Sequence, residues 1–427
     1  MIEQILSVVF VILITIYSGW IFLMLKPAKR GVCYSGSFPS TSVVVPAHNE
    51  EKYIEATLES VLDSDYPAEF EVLVVDDGST DRTEEVIKRM AANDSRIRLL
   101  KGSHGGKSMA INLASKSARY GILVVIDADT TMEKQTLREV VAPLADERIG
   151  AVSGVIRGNM NSNPITWFQD FEFVLSAAWR WVYNNINSTY ILPCLVAFKK
   201  EALEAVGGLS TDTLSEDIDI GLRLRKKGWL LTMAPKAVIH TNLPQTLPSL
   251  AKQRIRWGRG TLQVLRKHKD VFLNPNYGAI GLYGIPTQIY WFIHGLVVIP
   301  ITAYQIMQGY FMYFVTYNQQ FSYNAFRYFF GWLSAYGMIE YAYRTLTGVY
   351  AFTTFFLLVL ISFALNITYT TLGLIKFEGR PDVRHFIAFF FFFPYSVMVM
   401  LFYIWPLLKA VVSRASMGGV NKWEKAY

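Results

Sequence analysis

The sequence predicts an α/β domain with a mostly parallel sheet, joined by interfacial amphipathic helices to an α-helical transmembrane region. Three observations carry this. Between residues 40 and 240, short β-branched runs alternate with charged segments of helical period. The 41 Lys or Arg and 34 Asp or Glu are unevenly spread: from Val271 to Ile375 the only formal charges are Arg327, Glu340 and Arg344. Near the N-terminus, Gln4 to Leu25 is an uncharged run long enough to cross a bilayer. Charged residues make up 18% of the chain, where a soluble domain has about 25%. With 52% hydrophobic residues, this excludes a disordered chain, a coiled coil, a collagen-like repeat and a disulfide scaffold.

The elements follow in order. Residues 1–30 read as an uncleaved anchor, because Glu3 and no Lys or Arg precede the apolar run and no small-x-small cleavage site follows it. Lys26, Lys29 and Arg30 come directly after, which places the next domain, residues 40–240, in the cytosol. In that domain Ser42 to Pro46, Val72 to Val75 and Ile122 to Ile126 read as buried strands. Each precedes a segment of helical period: Glu50 to Leu62, Asp81 to Ala92 and Glu133 to Leu144. Residues 164–187 repeat apolar side chains every three to four positions, from Trp167 to Ala178, and are expected to lie at the bilayer surface. Residues 245–285 form a basic interfacial segment with Lys252, Arg254, Arg256 and Arg259.

Four apolar stretches follow in residues 286–413: Pro286 to Val315, Ala325 to Tyr343, Gly348 to Leu374 and Phe386 to Val412. Four spans are expected, or three if the second stretch, which holds Glu340, lies on the surface. Four spans would keep Lys409, Arg414, Lys422 and Lys425 inside, with a cytosolic tail over residues 414–427. The expected location is the plasma membrane, with several crossings and the lipid bilayer as a partner. The net charge of +7 has no run of five or six basic residues behind it, so no nucleic-acid partner is expected. Cys33 and Cys194 are too far apart for a metal knuckle and read as reduced thiols.

Ligands of such sheets gather at the carboxyl ends of the strands. There the first strand exits into Pro46-Ala-His-Asn-Glu50, the second into Asp76-Asp-Gly-Ser79 and the third into Asp127-Ala-Asp129. A helix cap at Asn49 and a turn at Asp77-Gly78 are the local alternatives. Asp127 and Asp129, at i and i+2 beyond a strand, invite a hard divalent cation, Mg²⁺ or Mn²⁺, that bridges to phosphates. Gly102-Ser-His-Gly-Gly-Lys107 lacks the spacing of a phosphate loop, yet a glycine turn with one lysine suits an anionic diphosphate. Ser215-Glu-Asp217 opens a helix, where acids complement the dipole or, equally, accept a proton from a hydroxyl. Gln253-Arg-Ile-Arg-Trp257 is a cationic interfacial helix, or a set of arginines for phosphate with a tryptophan for a sugar face.

In this order, and over Thr41 to Thr261, the motifs resemble the membrane-embedded family-2 glycosyltransferases, the group of cellulose, chitin, hyaluronan and poly-N-acetylglucosamine synthases. The resemblance implies a GT-A-type domain on the cytosolic side. It implies a UDP-sugar held by Pro46, His48, Glu50, Asp76, Asp77, Lys107 and Asp127, and a metal on Asp129 with Asp127. Asp217 would be the general base, with Glu216 beside it. Gln253, Arg254, Arg256 and Trp257 would line the diphosphate and the acceptor, a growing glycan or a lipid-linked sugar. The implied reaction is inverting polymerisation of a UDP-sugar, N-acetylglucosamine first, with passage of the product across the membrane and a small accessory membrane subunit as a further partner. Addition of one sugar to a lipid acceptor is the alternative. Two departures stand out: Ser215 replaces the family's usual Thr, and Ile191-Leu-Pro-Cys-Leu-Val196 replaces a Ser-Gly or Cys-Ser-Gly element near the acceptor.

Overall fold

The structure, a computed structural model, describes residues 2–26, 38–319, 321–378 and 381–413. The expected tail over 414–427, and Lys29, Arg30 and Cys33, lie outside the described residues.

Helix α1 (Ile2–Leu25) is the N-terminal apolar run. The sheet domain then reads β1 (Thr41–Ala47), α2 (Ile54–Leu62), β2 (Phe70–Asp76), α3 (Thr83–Asn93), β3 (Ile97–Lys101), α4 (Lys107–Ser117), β4 (Ile122–Val125), β5 (Thr130–Met132) and α5 (Thr136–Val141). It continues with β6 (Ile149–Gly158), α6 (Pro164–Asn185), β7 (Val196–Lys199), α7 (Lys200–Ala205), α8 (Glu216–Lys226), β8 (Leu230–Thr241) and α9 (Leu247–Lys267). The strands form one sheet in the order β3-β2-β1-β4-β7-β6-β8-β5.

Its first half is parallel, β1 pairing with β2 and β4, and β2 with β3. These strands are near-continuous runs of Val, Ile and Leu because both faces are covered. Val43, Val45, Val72, Val74 and Val124 pack with Ile54 and Leu58 of α2, while Val44, Leu73, Val75 and Leu123 pack with Ala110, Ile111 and Ala114 of α4. The second half is mixed. β7 runs antiparallel to β4 and β6, β5 antiparallel to β8, and β6 parallel to β8.

Beyond α9 come α10 (Ile285–Tyr310), α11 (Tyr323–Leu333), α12 (Tyr336–Leu346), α13 (Thr354–Phe377), α14 (Val383–Phe390) and α15 (Phe392–Ser413). Among the described residues, four helices are long and apolar enough to cross a membrane: Ile2–Leu25, Ile280–Thr316, Thr354–Phe377 and Phe392–Lys409. The stretch Ala325 to Tyr343 is not one of them. It breaks at Ser334-Ala335 into α11 and α12, each 11 residues and so about 16 Å long, half of a bilayer core. Gly331 and Gly337 let the pieces meet, since a Cβ on Gly337 would strike the Gly331 carbonyl. Glu340 is no lone charge, for Arg327 Nε stands 2.8 Å and Arg344 Nε 2.7 Å from its carboxylate. Among the described residues, the C-terminal part thus holds three helices of spanning length. Helix α6 lies between the sheet and the long apolar helices, touching β6 and β8 as well as α1, α13 and α14.

Candidate active site

Because β1, β2 and β4 are parallel neighbours, their exit loops share one edge. There Asp76 Oδ1 accepts the Ser79 N–H at 3.1 Å. Glu50 is buried, and its N–H donates to Thr83 Oγ1 at 2.7 Å. Pro46 is itself a buried residue of β1. Asp77 departs from the expected nucleotide contact. Only 1% exposed, its carboxylate accepts the N–H groups of Gly105 (3.2 Å) and Gly106 (2.7 Å), so it shapes the glycine turn. The Asp77 carbonyl accepts from Nδ1 of both His48 (3.1 Å) and His104 (3.0 Å), and the two rings lie 4.7 Å apart. His104, the histidine of the Gly102–Lys107 segment, has φ 58°, a left-handed conformation that the residue pattern does not reveal.

The turn delivers Lys107 to the N-terminus of α4, after Gly106 with φ 91°. Lys107 Nζ lies 2.5 Å from Asp127 Oδ1 and 3.6 Å from Glu216 Oε1. One ammonium therefore ties the exit of β4 to the first turn of α8. Burial alone would lower the Lys107 pKa, but Asp127 and Glu216 outweigh it and raise it. Asp217 sits beside Glu216 in that turn. Burial, then the Glu216 charge, pushes its carboxyl up to about 6 against the pull of Lys107. The Cys194 thiol faces Asp127, Lys107, Asp129 and Asp217 and is driven up by burial first, so it stays protonated. Cys194 has φ 46°, a left-handed conformation in the segment that replaces the family's small-residue element.

Asp127 and Asp129 are half-buried hard oxygen donors, a set that fits Mg²⁺ or Mn²⁺. Thr130 Oγ1 donates to Asp129 Oδ1 at 3.2 Å, and Asn242 Nδ2 donates to the Asp129 carbonyl at 3.2 Å. Among the described residues, Asp170, Glu378 and His385 also stand close enough to share an ion. Both of those carboxylates already pair with Arg157, so that cluster carries its own cation.

Helix α9 meets the acidic pair through Gly260, where a Cβ would collide with Ser215 Oγ, and Gln263 Oε1 accepts the Leu214 N–H at 2.9 Å. Gln253, Arg256 and Trp257 are half-buried. Arg254 corrects the expectation for this motif. Its side chain is fully buried, with Nη2 2.7 Å from Glu172 of α6, which also accepts from Tyr395 of α15 at 2.6 Å. Its guanidinium lies 4.2 Å over the Trp257 ring. Arg254 therefore pins three helices together instead of facing a substrate. Asp219 was also missed. Fully buried, it takes Arg223 Nε (2.7 Å), Lys267 Nζ (2.8 Å) and His268 Nε2 (2.9 Å), clamping α8 to the end of α9. Burial alone would raise its pKa, and those donors hold it well below the carboxylate range.

Residues 42–207 match the family model described as glycosyl transferase family 2. These residues are a family-2 glycosyltransferase domain. The chain is 30% identical over 240 residues to the probable glycosyltransferase YdaM of Bacillus subtilis (strain 168), covering 54% of this chain and 57% of that protein. It is 30% identical over 230 residues to the poly-beta-1,6-N-acetyl-D-glucosamine synthase of Staphylococcus aureus (strain COL), covering 52% and 54%. The chain thus spans about half the length of the curated relatives it matches. In fold, it is similar to a mannosyltransferase, PcManGT of Pyrobaculum calidifontis, solved with GDP-Man and Mn2+, at TM-score 0.61 and 22% identity over 97% of this chain and 99% of that one. The glycosyltransferase domain therefore has the GT-A-like mixed sheet, followed here by the helical C-terminal region.

Proposed function

We propose that this protein is an inverting β-glycosyltransferase of the plasma membrane that polymerises a UDP-sugar, N-acetylglucosamine first among candidates, and passes the product across the bilayer. The observation that carries the reading is Lys107, whose ammonium joins Asp127 on the donor side to Glu216 on the acceptor side. Donor and acceptor chemistry then share one cleft, beside a helix that packs on α15. The nucleotide lies along Glu50, His48 and Asp76, with the glycine turn beneath the diphosphate. Asp217, half-buried and raised in basicity, takes the proton of the acceptor hydroxyl as that oxygen attacks the anomeric carbon from the face opposite UDP. The C–O bond to UDP breaks, and the α-linked donor becomes a β-linkage. Lys107 and Arg256 offset the charge that grows on the departing diphosphate. Asp127 and Asp129 would hold Mg²⁺ or Mn²⁺, which when bound supplies further neutralisation of that charge. Gln253 and Trp257 line the path to the acceptor, a growing glycan.

The test is to incubate purified protein with a panel of UDP- and GDP-sugars, with Mn²⁺ and with a chelator, and to size the product. Long β-linked polymer from one UDP-sugar, lost on chelation, is the expected outcome. A lipid carrying a single added sugar would replace the polymerase reading, and absence of transfer from every donor would end it.

A further inference from the structure

Outside the cleft, the ends of α8 and α9 converge on the start of the helix Ile280–Thr316, around a second feature. A cavity of about 210 Å³ opens there, lined in part by Arg225, Lys226, Asn276, Tyr277 and Gly278. Among the described residues, Arg225 gives its Nη hydrogens to neutral acceptors: Asn187 Oδ1 (3.1 Å), the Asn187 carbonyl (3.2 Å) and the Trp229 carbonyl (3.4 Å). Its Nε is buried and has no acceptor among the described residues. Lys226 is held by Asp270 at 2.8 Å, and Asp270 also accepts from Tyr277 Oη at 3.0 Å. Two cations against one carboxylate leave the cavity with an excess positive charge.

Next along the chain from the lining residues Val271 and Ile280, Phe272 is 42%, Leu273 58% and Leu282 54% exposed, and Lys227 and Lys269 are exposed as well. Leu273 has φ 52°, a conformation that a bulky side chain rarely adopts, and its N–H donates to the Gly281 carbonyl at 3.0 Å. The loop tip is thereby folded back on the helix and held with its leucine outward. Trp20 sits between Tyr283 and Trp291 of that helix: Trp20 Nε1 donates to Tyr283 Oη at 2.5 Å, and the two indoles lie 6.2 Å apart. Tryptophan and tyrosine collect at the membrane–water boundary, where cations meet headgroups and apolar side chains meet acyl chains.

We propose that this cavity and its rim are a docking site for the phosphate of an anionic phospholipid, in the leaflet that the helix Ile280–Thr316 enters. The inference rests on that helix entering a bilayer. The phosphate oxygens sit against Lys226 and the Arg225 guanidinium, while Phe272, Leu273 and Leu282 seat beside the glycerol backbone. Docking there holds the end of α8, and with it the Glu216-Asp217 turn, at a fixed depth below the membrane surface.

The test uses the full-length protein in detergent, titrated with phosphatidylglycerol, phosphatidylcholine or inorganic phosphate, with thermal melting as the readout. Phosphatidylglycerol is expected to raise the melting temperature, and the other two are not. Arg225→Gln should weaken the apparent affinity for phosphatidylglycerol about fivefold, the effect of one interfacial charge. Asn276→Asp, an exposed change that adds a negative charge to the cavity wall, should do the same, and it decides the matter if Arg225→Gln does not fold. An unaltered response in the folded variants overturns the proposal, as does an equal gain from inorganic phosphate, which would mark a free-anion site. Carbonate extraction of native membranes is read separately. If wild-type protein is extracted, the membrane reading itself fails, whereas insertion without a phosphatidylglycerol preference sinks the docking site alone.

Discussion

Replacing Asp217 with Asn keeps the shape of the side chain and removes its charge, and two opposite effects follow. The carboxyl stands at about 6 because burial and Glu216 disfavour ionisation, roughly two units above an ordinary aspartate. One unit is about 1.4 kcal/mol, so near pH 7.5 the ionised side chain costs the fold about 3 kcal/mol, which asparagine does not pay. The folded pKa is above the unfolded one, so protonation favours the folded protein. Through this group, wild-type stability rises as pH falls through 6 and levels off near 4, while Asp217→Asn lacks that rise. The variant is therefore expected to melt above wild type at pH 7.5, with the gap closing toward pH 5. Transfer should fall by about 10²–10⁴-fold, the usual worth of a general base, and wild-type transfer should decline below about pH 6. Melting curves and UDP release between pH 5 and 8 check both halves. Wild-type turnover in the variant, or a lower melting temperature at pH 7.5, would refute the assignment.

Lys107→Met leaves Asp127 and Glu216 facing each other without their shared cation. Donor affinity by calorimetry should weaken and turnover should fall at least about tenfold, so UDP-sugar binding at wild-type strength would count against the bridge. Gly260→Ala places a methyl group on Ser215 and drives α9 off the first turn of α8. Turnover is expected to drop with a stability loss of about 1–3 kcal/mol, and a variant unchanged in both rate and melting would show that this contact does not set the cleft.

The strands β1, β2 and β4 were legible because they are parallel and covered on both faces, which forces uninterrupted Val and Leu runs and leaves the polar residues at their exits conspicuous. The strand β7 was not legible. Four residues, Val196–Lys199, are too few to show a period, and their antiparallel place between β4 and β6 depends on partners far along the chain. Distance in sequence also hid the second layer of the site. His268 lies 49 residues from Asp219, and Glu172 lies 82 residues from Arg254, so neither pairing leaves a local pattern.

The motif on α9 shows where a closer reading of the same letters would have gone further. Residue types alone treat Arg254 and Arg256 alike, as two cations for one diphosphate. At 3.6 residues per turn they point differently. Positions 253, 256, 257 and 260 share one side, and Gly260 on that side abuts Ser215 next to Glu216 and Asp217. Positions 254, 258 and 261 share another. There Gly258 would strike the Tyr403 carbonyl if it carried a Cβ, and Thr261 Oγ1 lies 2.7 Å from Tyr403 Oη. Two glycines two residues apart on one helix require close neighbours on two sides, the acidic turn on one and α15 on the other. Arg254 falls with the second set, so it is the arginine that must find a carboxylate within the packing, at Glu172, and Arg256 falls on the side of the acidic turn. Each glycine thus assigns the arginine on its own side of the helix.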